Sequence, residues 1–171
     1  MGEIEQFKRV VIVGVGLIGG SLALALKKKG FKGTICGVDS AEVLALAEPR
    51  RMLDESYTRD RLLEAVTDAD IVFLCTPILD ILRLIPEIGP AVKSGALITD
   101  VGSTKRTIVE TASIYLPVGV DFIGGHPMAG SEAKGVEGAD PFLFESTTYV
   151  LTPVRSVHER TRKALGELIE L

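Results

Sequence analysis

Three groups of residues in this chain have the types and spacing of working chemistry. The first is Gly14-Val15-Gly16-Leu17-Ile18-Gly19, a G-x-G-x-x-G run between a β-branched segment and an apolar helical one. In that setting each glycine has a task. Gly14 permits a tight turn, Gly16 lets the backbone approach a pyrophosphate, and Gly19 lets the helix pack close to the strand. The helix opening at Leu17 and Ile18 offers free N–H groups and the positive end of its dipole to phosphates. Asp39 follows the last glycine by about 20 residues, where an acidic side chain bonds the ribose hydroxyls of NAD. Ser40 and Ala41 come next, with no arginine to pair with a 2′-phosphate, so the pattern favours NAD over NADP.

The second group is Cys75-Thr76-Pro77, at the end of an apolar run. Ligands of open α/β sheets bind beyond the carboxyl ends of the strands, so Thr76 and Pro77 are expected at the dinucleotide cleft. Cys75 reads as a core residue, since nothing near it in sequence would activate a thiol. The third group combines Asp100-Val101-Gly102-Ser103-Thr104-Lys105 with Gly124-Gly125-His126-Pro127-Met128-Ala129-Gly130-Ser131-Glu132. Adjacent parallel strands would bring Ser103 and His126 to one sheet edge, with Ser103 placed to hydrogen-bond the imidazole. His126 sits among glycines and not on an apolar helix face, which favours a functional role over a loop-stabilising one. The other histidine, His158, opens a charged helical segment and reads as a solvated surface group.

The elements that must position these groups alternate between strand-like and helix-like patterns. Strands are expected at residues 9–13, 34–38, 71–74, 97–99, 121–123 and 148–151. Helices are expected at 18–29, 41–47, 60–65, 79–92 (with Pro86 as a kink), 105–116 and from 156 onward. A long glycine-rich loop should separate the last two strands. This alternation implies a doubly wound, Rossmann-type α/β fold: a mostly parallel sheet with helices on both faces and right-handed crossovers. The last helix carries an apolar face of Val157, Thr161, Ala164, Leu165, Leu168 and Leu171. That face packs either on this same sheet or on material beyond the helix.

A chain of 171 residues corresponds to one domain able to bury a sizeable core. With 46% apolar and 25% charged residues it has the composition of a soluble globular protein. A net charge of −4 leaves no basic excess for nucleic acid. The two cysteines, Cys36 and Cys75, have no metal-ligand spacing and fit a reduced, cytoplasmic protein. The charged first residues are not a signal peptide, and no apolar run approaches the roughly 20 residues of a membrane span.

Together these motifs resemble prephenate dehydrogenase, with its close relative arogenate dehydrogenase. The run Val13 to Ser21, Cys75-Thr76-Pro77, Thr99 to Lys105, Gly124 to Gly130, and Tyr149-Val150-Leu151-Thr152-Pro153 carry the resemblance over nearly the whole chain. It implies NAD-dependent oxidative decarboxylation of prephenate to 4-hydroxyphenylpyruvate in tyrosine biosynthesis. It assigns His126 to accept a hydrogen bond from the substrate's C4 hydroxyl, in its neutral form, and Ser103 to orient His126 near the nicotinamide. Ser131 and Glu132 match positions at the pocket entrance. Members of the family carry a further helical domain that dimerises and supplies the arginine gripping the substrate carboxylate. The chain is therefore expected to be the cofactor domain of a larger homodimeric enzyme, inactive and monomeric by itself. Arogenate oxidation, or a stand-alone NAD-binding module without catalysis, is the alternative.

Overall fold

The computed structural model of the chain describes residues 7–130, 132–153 and 157–170. Seven strands form one sheet: β1 (Arg9–Val13), β2 (Thr34–Asp39), β3 (Glu55–Thr58), β4 (Ile71–Leu74), β5 (Leu97–Asp100), β6 (Asp121–Pro127) and β7 (Tyr149–Pro153). Their order is β3-β2-β1-β4-β5-β6-β7, parallel except for the antiparallel β6–β7 pair. Among the described residues six α-helices cover it: α1 (Leu17–Lys28), α2 (Ala41–Ala47), α3 (Leu62–Thr67), α4 (Ile78–Ile88), α5 (Arg106–Tyr115) and α6 (Glu159–Ile169). This is the expected doubly wound Rossmann-type fold. Its strand order reverses between the parallel neighbours β1 and β4, the switch point where such sheets open a crevice for ligands.

The central strands read as continuous apolar runs because both their faces are buried. Val11, Val13, Val72, Leu74 and Ile98 join one core with residues of α3, α4 and α5. Val10, Ile12, Ile71, Phe73 and Leu97, one residue out of step, join the other with α1, α2 and α6. In α4 the buried positions Ile81, Leu84, Ile85 and Ile88 follow helical spacing. Pro86 does not end that helix. It continues to Ile88, and the expected last turn to Val92 closes with a Val92 N–H bond to the Ile88 carbonyl (3.1 Å).

Helix α6 settles the question of its apolar face. Ala164, Leu165 and Leu168 are buried in the α1-side core, so the helix packs on this same sheet. Thr161 Oγ1 also donates to Asp121 Oδ2 at the start of β6 (2.7 Å). Its first turn begins at Glu159, and Ser156 and Leu171 lie outside the described residues. His158 is on the surface, 80% exposed, as its charged surroundings imply.

Two strands depart from expectation. β3 is an edge strand of sequence ESYT, with no apolar run to announce it. Side chains hold it instead: Arg9 donates twice to the Glu55 carboxylate (3.1 and 2.8 Å), and the Tyr57 hydroxyl donates to it at 2.6 Å. These bonds, that from Arg9 first, hold the Glu55 carboxyl down at about 2. β6 runs on through Pro127 rather than stopping at 123, because β7 pairs with it from Ile123–Pro153 to Pro127–Tyr149. His126 is thus a strand residue, held opposite Val150, and not part of a glycine loop. Among the described residues no helix is long and apolar enough to cross a membrane.

Candidate active site

The glycine turn is built where β1 meets the end of β4. Gly14 has φ +96°, a left-handed conformation that favours glycine. A Cβ there would also come within 2.8 Å of the Cys75 backbone carbonyl. A Cβ on Gly19 would overlap the Gly14 carbonyl oxygen, so the helix can press onto the turn only through glycine. Gly16 has nothing within 4 Å of the corresponding position. It precedes Leu17 and Ile18 without a side-chain cap, and no acidic residue occupies the first turn of α1. That combination leaves open space and unclaimed N–H donors for a diphosphate.

Asp39 ends β2 beside this turn. Its Oδ2 accepts the Val15 N–H and its Oδ1 the Ser40 N–H, both at 2.7 Å. The carboxylate is thereby fixed, with lone pairs left for hydroxyls. Ser40 caps α2, its Oγ accepting from Val43 N–H (3.3 Å). Gly14, Asp39, Ser40 and Thr76 line one cavity of about 450 Å³. Thr76 Oγ1 is buried with no hydrogen-bond partner among the described residues, an orphan that a ligand in the cleft would satisfy. Pro77 stands just before α4. A dinucleotide fits this donor set on all three counts.

One residue of this cavity escapes sequence reasoning. Along the chain no arginine stands near Asp39, but in space Arg59 does. It follows β3, the strand beside β2, so only the missed strand could have revealed it. Arg59 is engaged bidentately by Glu87 (3.1 and 2.7 Å), and Arg83 at the same cavity contacts Asp80 (3.4 Å). Their charges are matched by carboxylates within the protein.

One and two strands beyond β4 along the sheet edge lie the other candidates. Ser103 is exposed on the loop beyond β5 and His126 is half-buried on β6, the neighbouring strand. The strand ends bring them to the same edge, but among the described residues no hydrogen bond joins them. The expected Ser103–imidazole bond is therefore not present here. Ser103 lies past the end of β5, where the ladder no longer dictates its position. Glu132 is exposed in the loop after β6, and Ser131 lies outside the described residues. That loop is pinned to the α1 side: Arg50 donates to the carbonyls of Val136 (2.7 Å) and Ala139 (2.5 Å), and Asp140 N–H to buried Ser21 Oγ (2.8 Å).

Against the Gly125 backbone sits a buried ion pair, Asp100 with Lys105. Burial pushes the Asp100 carboxyl up and the Lys105 ammonium down, and their mutual contact opposes both shifts. Both cysteines are free thiols. Burial pushes Cys75 far up and Cys36 up to about 12, so neither is a nucleophile at neutral pH. Among the described residues no acidic, histidine and cysteine cluster could hold a metal. The arrangement offers a dinucleotide cleft and, on the same edge, an imidazole able to accept a proton.

Comparison with known proteins agrees with this geometry. Residues 22–171 match the family model for the nucleotide-binding domain of prephenate dehydrogenase. The chain is 45% identical over 147 residues to the prephenate dehydrogenase of Lactococcus lactis subsp. cremoris, covering 85% of this chain and 41% of that protein. A solved prephenate dehydrogenase from A. aeolicus, in complex with hydroxyphenyl propionate and NAD+, superposes with a TM-score of 0.86 at 32% identity, covering 95% of this chain and 56% of that one. A Synechocystis arogenate dehydrogenase gives 0.85 at 37% identity, with coverages of 95% and 56%. The chain spans about half the length of these relatives. The match over residues 22–171, on a sheet with the dinucleotide switch point, establishes that the chain belongs to the prephenate dehydrogenase family as its nucleotide-binding domain.

Proposed function

We propose that the chain is the cofactor domain of an enzyme that oxidatively decarboxylates prephenate, using NAD, in tyrosine biosynthesis. The observation that carries this reading is the placement of His126 on the same sheet edge as the cavity of Gly14, Asp39 and Thr76, with only β5 between Thr76's strand and its own. The glycine turn and the start of α1 hold the diphosphate, and Asp39 holds the adenosine ribose. NAD, when bound, supplies the acceptor for the hydride leaving C4 of the substrate.

His126 accepts the proton of the C4 hydroxyl as the C4–H bond breaks. The ring carboxylate departs as carbon dioxide, its electron pair completes the aromatic ring, and the phenolic oxygen takes back the proton. Aromatisation supplies driving force, so the protein's main tasks are positioning and polarisation. In this proposal Ser103 serves the nicotinamide end and Glu132, exposed in the loop after β6, the entrance. The grip on the substrate carboxylate and the homodimer contact belong, in this proposal, to a helical domain following this one.

Arogenate is the second reading, favoured by the likeness to the Synechocystis arogenate dehydrogenase. It differs from prephenate at the side chain, an amine in place of a ketone. The test is an assay of the full-length natural protein with both substrates and both cofactors. NAD is expected to be preferred, because the Asp39 carboxylate repels a 2′-phosphate while Arg59 and Arg83 are matched by Glu87 and Asp80. Equal or greater use of NADP would overturn the role given to Asp39. Oxidation of neither substrate would overturn the functional reading.

A further inference from the structure

β6 outruns its neighbour. The last residue of β5, Asp100, pairs with Gly124, while β6 continues through Gly125, His126 and Pro127. On that side Gly125 has no strand to bond. Two side chains take the strand's place. Asp100 Oδ1 accepts the Gly125 N–H (3.3 Å), and Lys105 Nζ donates to the Gly125 carbonyl (2.7 Å). Lys105 also donates to Asp100 Oδ2, which accepts the Gly102 N–H as well (2.8 Å). Asp100 is fully buried and the Lys105 side chain is 15% exposed.

Burying such a pair gains little stability, because desolvation offsets most of the attraction. A well-packed apolar pair would serve a purely structural purpose. What this pair does that an apolar pair cannot is hold both peptide groups of Gly125, the second of which leads into His126. It also ties the segment before Ser103 to the same carboxylate. The strand is tightly seated there: a Cβ on Gly125 would lie 2.5 Å from the Asp100 carbonyl oxygen and 2.8 Å from the Tyr149 hydroxyl.

We propose that Asp100 and Lys105 are positioning residues for the reaction, clamping the Gly125 backbone so that the His126 imidazole is held at the substrate's hydroxyl. This inference rests on the proposed role of His126. A misplacement of about 1 Å at a reacting group can cost as much as 10²-fold in rate.

The test is a double-mutant cycle in the full-length protein, with Lys105→Met and Asp100→Asn each made with and without His126→Ala. With His126 present, Lys105→Met is expected to lower kcat about tenfold or more, with NAD affinity unchanged. With His126 already replaced, the same substitution should change kcat less than about twofold. Asp100→Asn removes the charge and keeps one acceptor oxygen, leaving its NH2 against a second donor, since Gly125 and Gly102 bond different oxygens of Asp100. It should show the same dependence on His126, and it decides the matter if Lys105→Met does not fold. Equal losses in both backgrounds, or no loss with His126 present, would overturn the clamp. Inactivity of the wild-type protein toward prephenate and arogenate would instead overturn the underlying functional reading.

Discussion

Replacing His126 with alanine in the full-length protein is expected to lower kcat by about 10²-fold or more while leaving NAD affinity unchanged. The expectation follows from placement. His126 is the one histidine at the carboxyl edge of the parallel strands, since His158 sits exposed at the start of α6. Its strand position opposite Val150 fixes its backbone more firmly than a glycine loop would. In the proposed reaction the hydroxyl proton leaves as the hydride departs, and among the described residues no other imidazole or thiolate stands at that edge to take it. Steady-state kinetics with NAD titrated by calorimetry separates the two effects. Near-normal turnover in the variant would remove His126 from the chemistry.

Gly19→Ala is expected to damage both fold and cofactor binding. A methyl group there would overlap the Gly14 carbonyl oxygen and lie 2.9 Å from Ile12 Cγ2, so the turn and α1 must move apart. Overpacking of this kind costs about 1–3 kcal/mol, and the displaced turn is the one proposed to receive the diphosphate. Gly16→Ala is the control, because nothing lies within 4 Å of its added methyl. It should keep the wild-type unfolding temperature while weakening NAD through the loss of close approach. Gly19→Ala should lower the unfolding temperature by several degrees, about 2–4 °C per kcal/mol for a domain of this size, and weaken NAD as well. Wild-type stability and NAD affinity in Gly19→Ala would contradict the packing role assigned to that glycine.

Much of this architecture is legible in the sequence because the central strands are buried on both faces. Runs such as Val10-Val11-Ile12-Val13 and Ile71-Val72-Phe73-Leu74 leave little room for another reading. The edge is less legible. β3 is polar because one side of it faces solvent, and its stability comes from Arg9 and Tyr57 on Glu55, a pairing visible only in three dimensions. Missing β3 conceals Arg59 at the Asp39 cavity.

β6 is cut short in the sequence because Gly124-Gly125-His126-Pro127 carries no β-branched or aromatic residue. The antiparallel partner β7 makes it a strand. Neighbouring strands indicate that Ser103 and His126 share an edge, but strand order does not decide whether their side chains touch. The roles of Gly20 and Ser21 also emerge only in space. A Cβ on Gly20 would lie 2.8 Å from Ala139 Cβ, and Ser21 Oγ accepts from Asp140, so both seat the loop after β6.

The fate of the hydrogen on C4 reports directly on hydride transfer to NAD. Prephenate carrying deuterium at C4 is given to the full-length protein with NAD, and the cofactor and gas are analysed. One deuterium is expected in the reduced nicotinamide for each carbon dioxide released. Carbon dioxide released without deuterium in the nicotinamide would contradict hydride transfer from C4 to NAD.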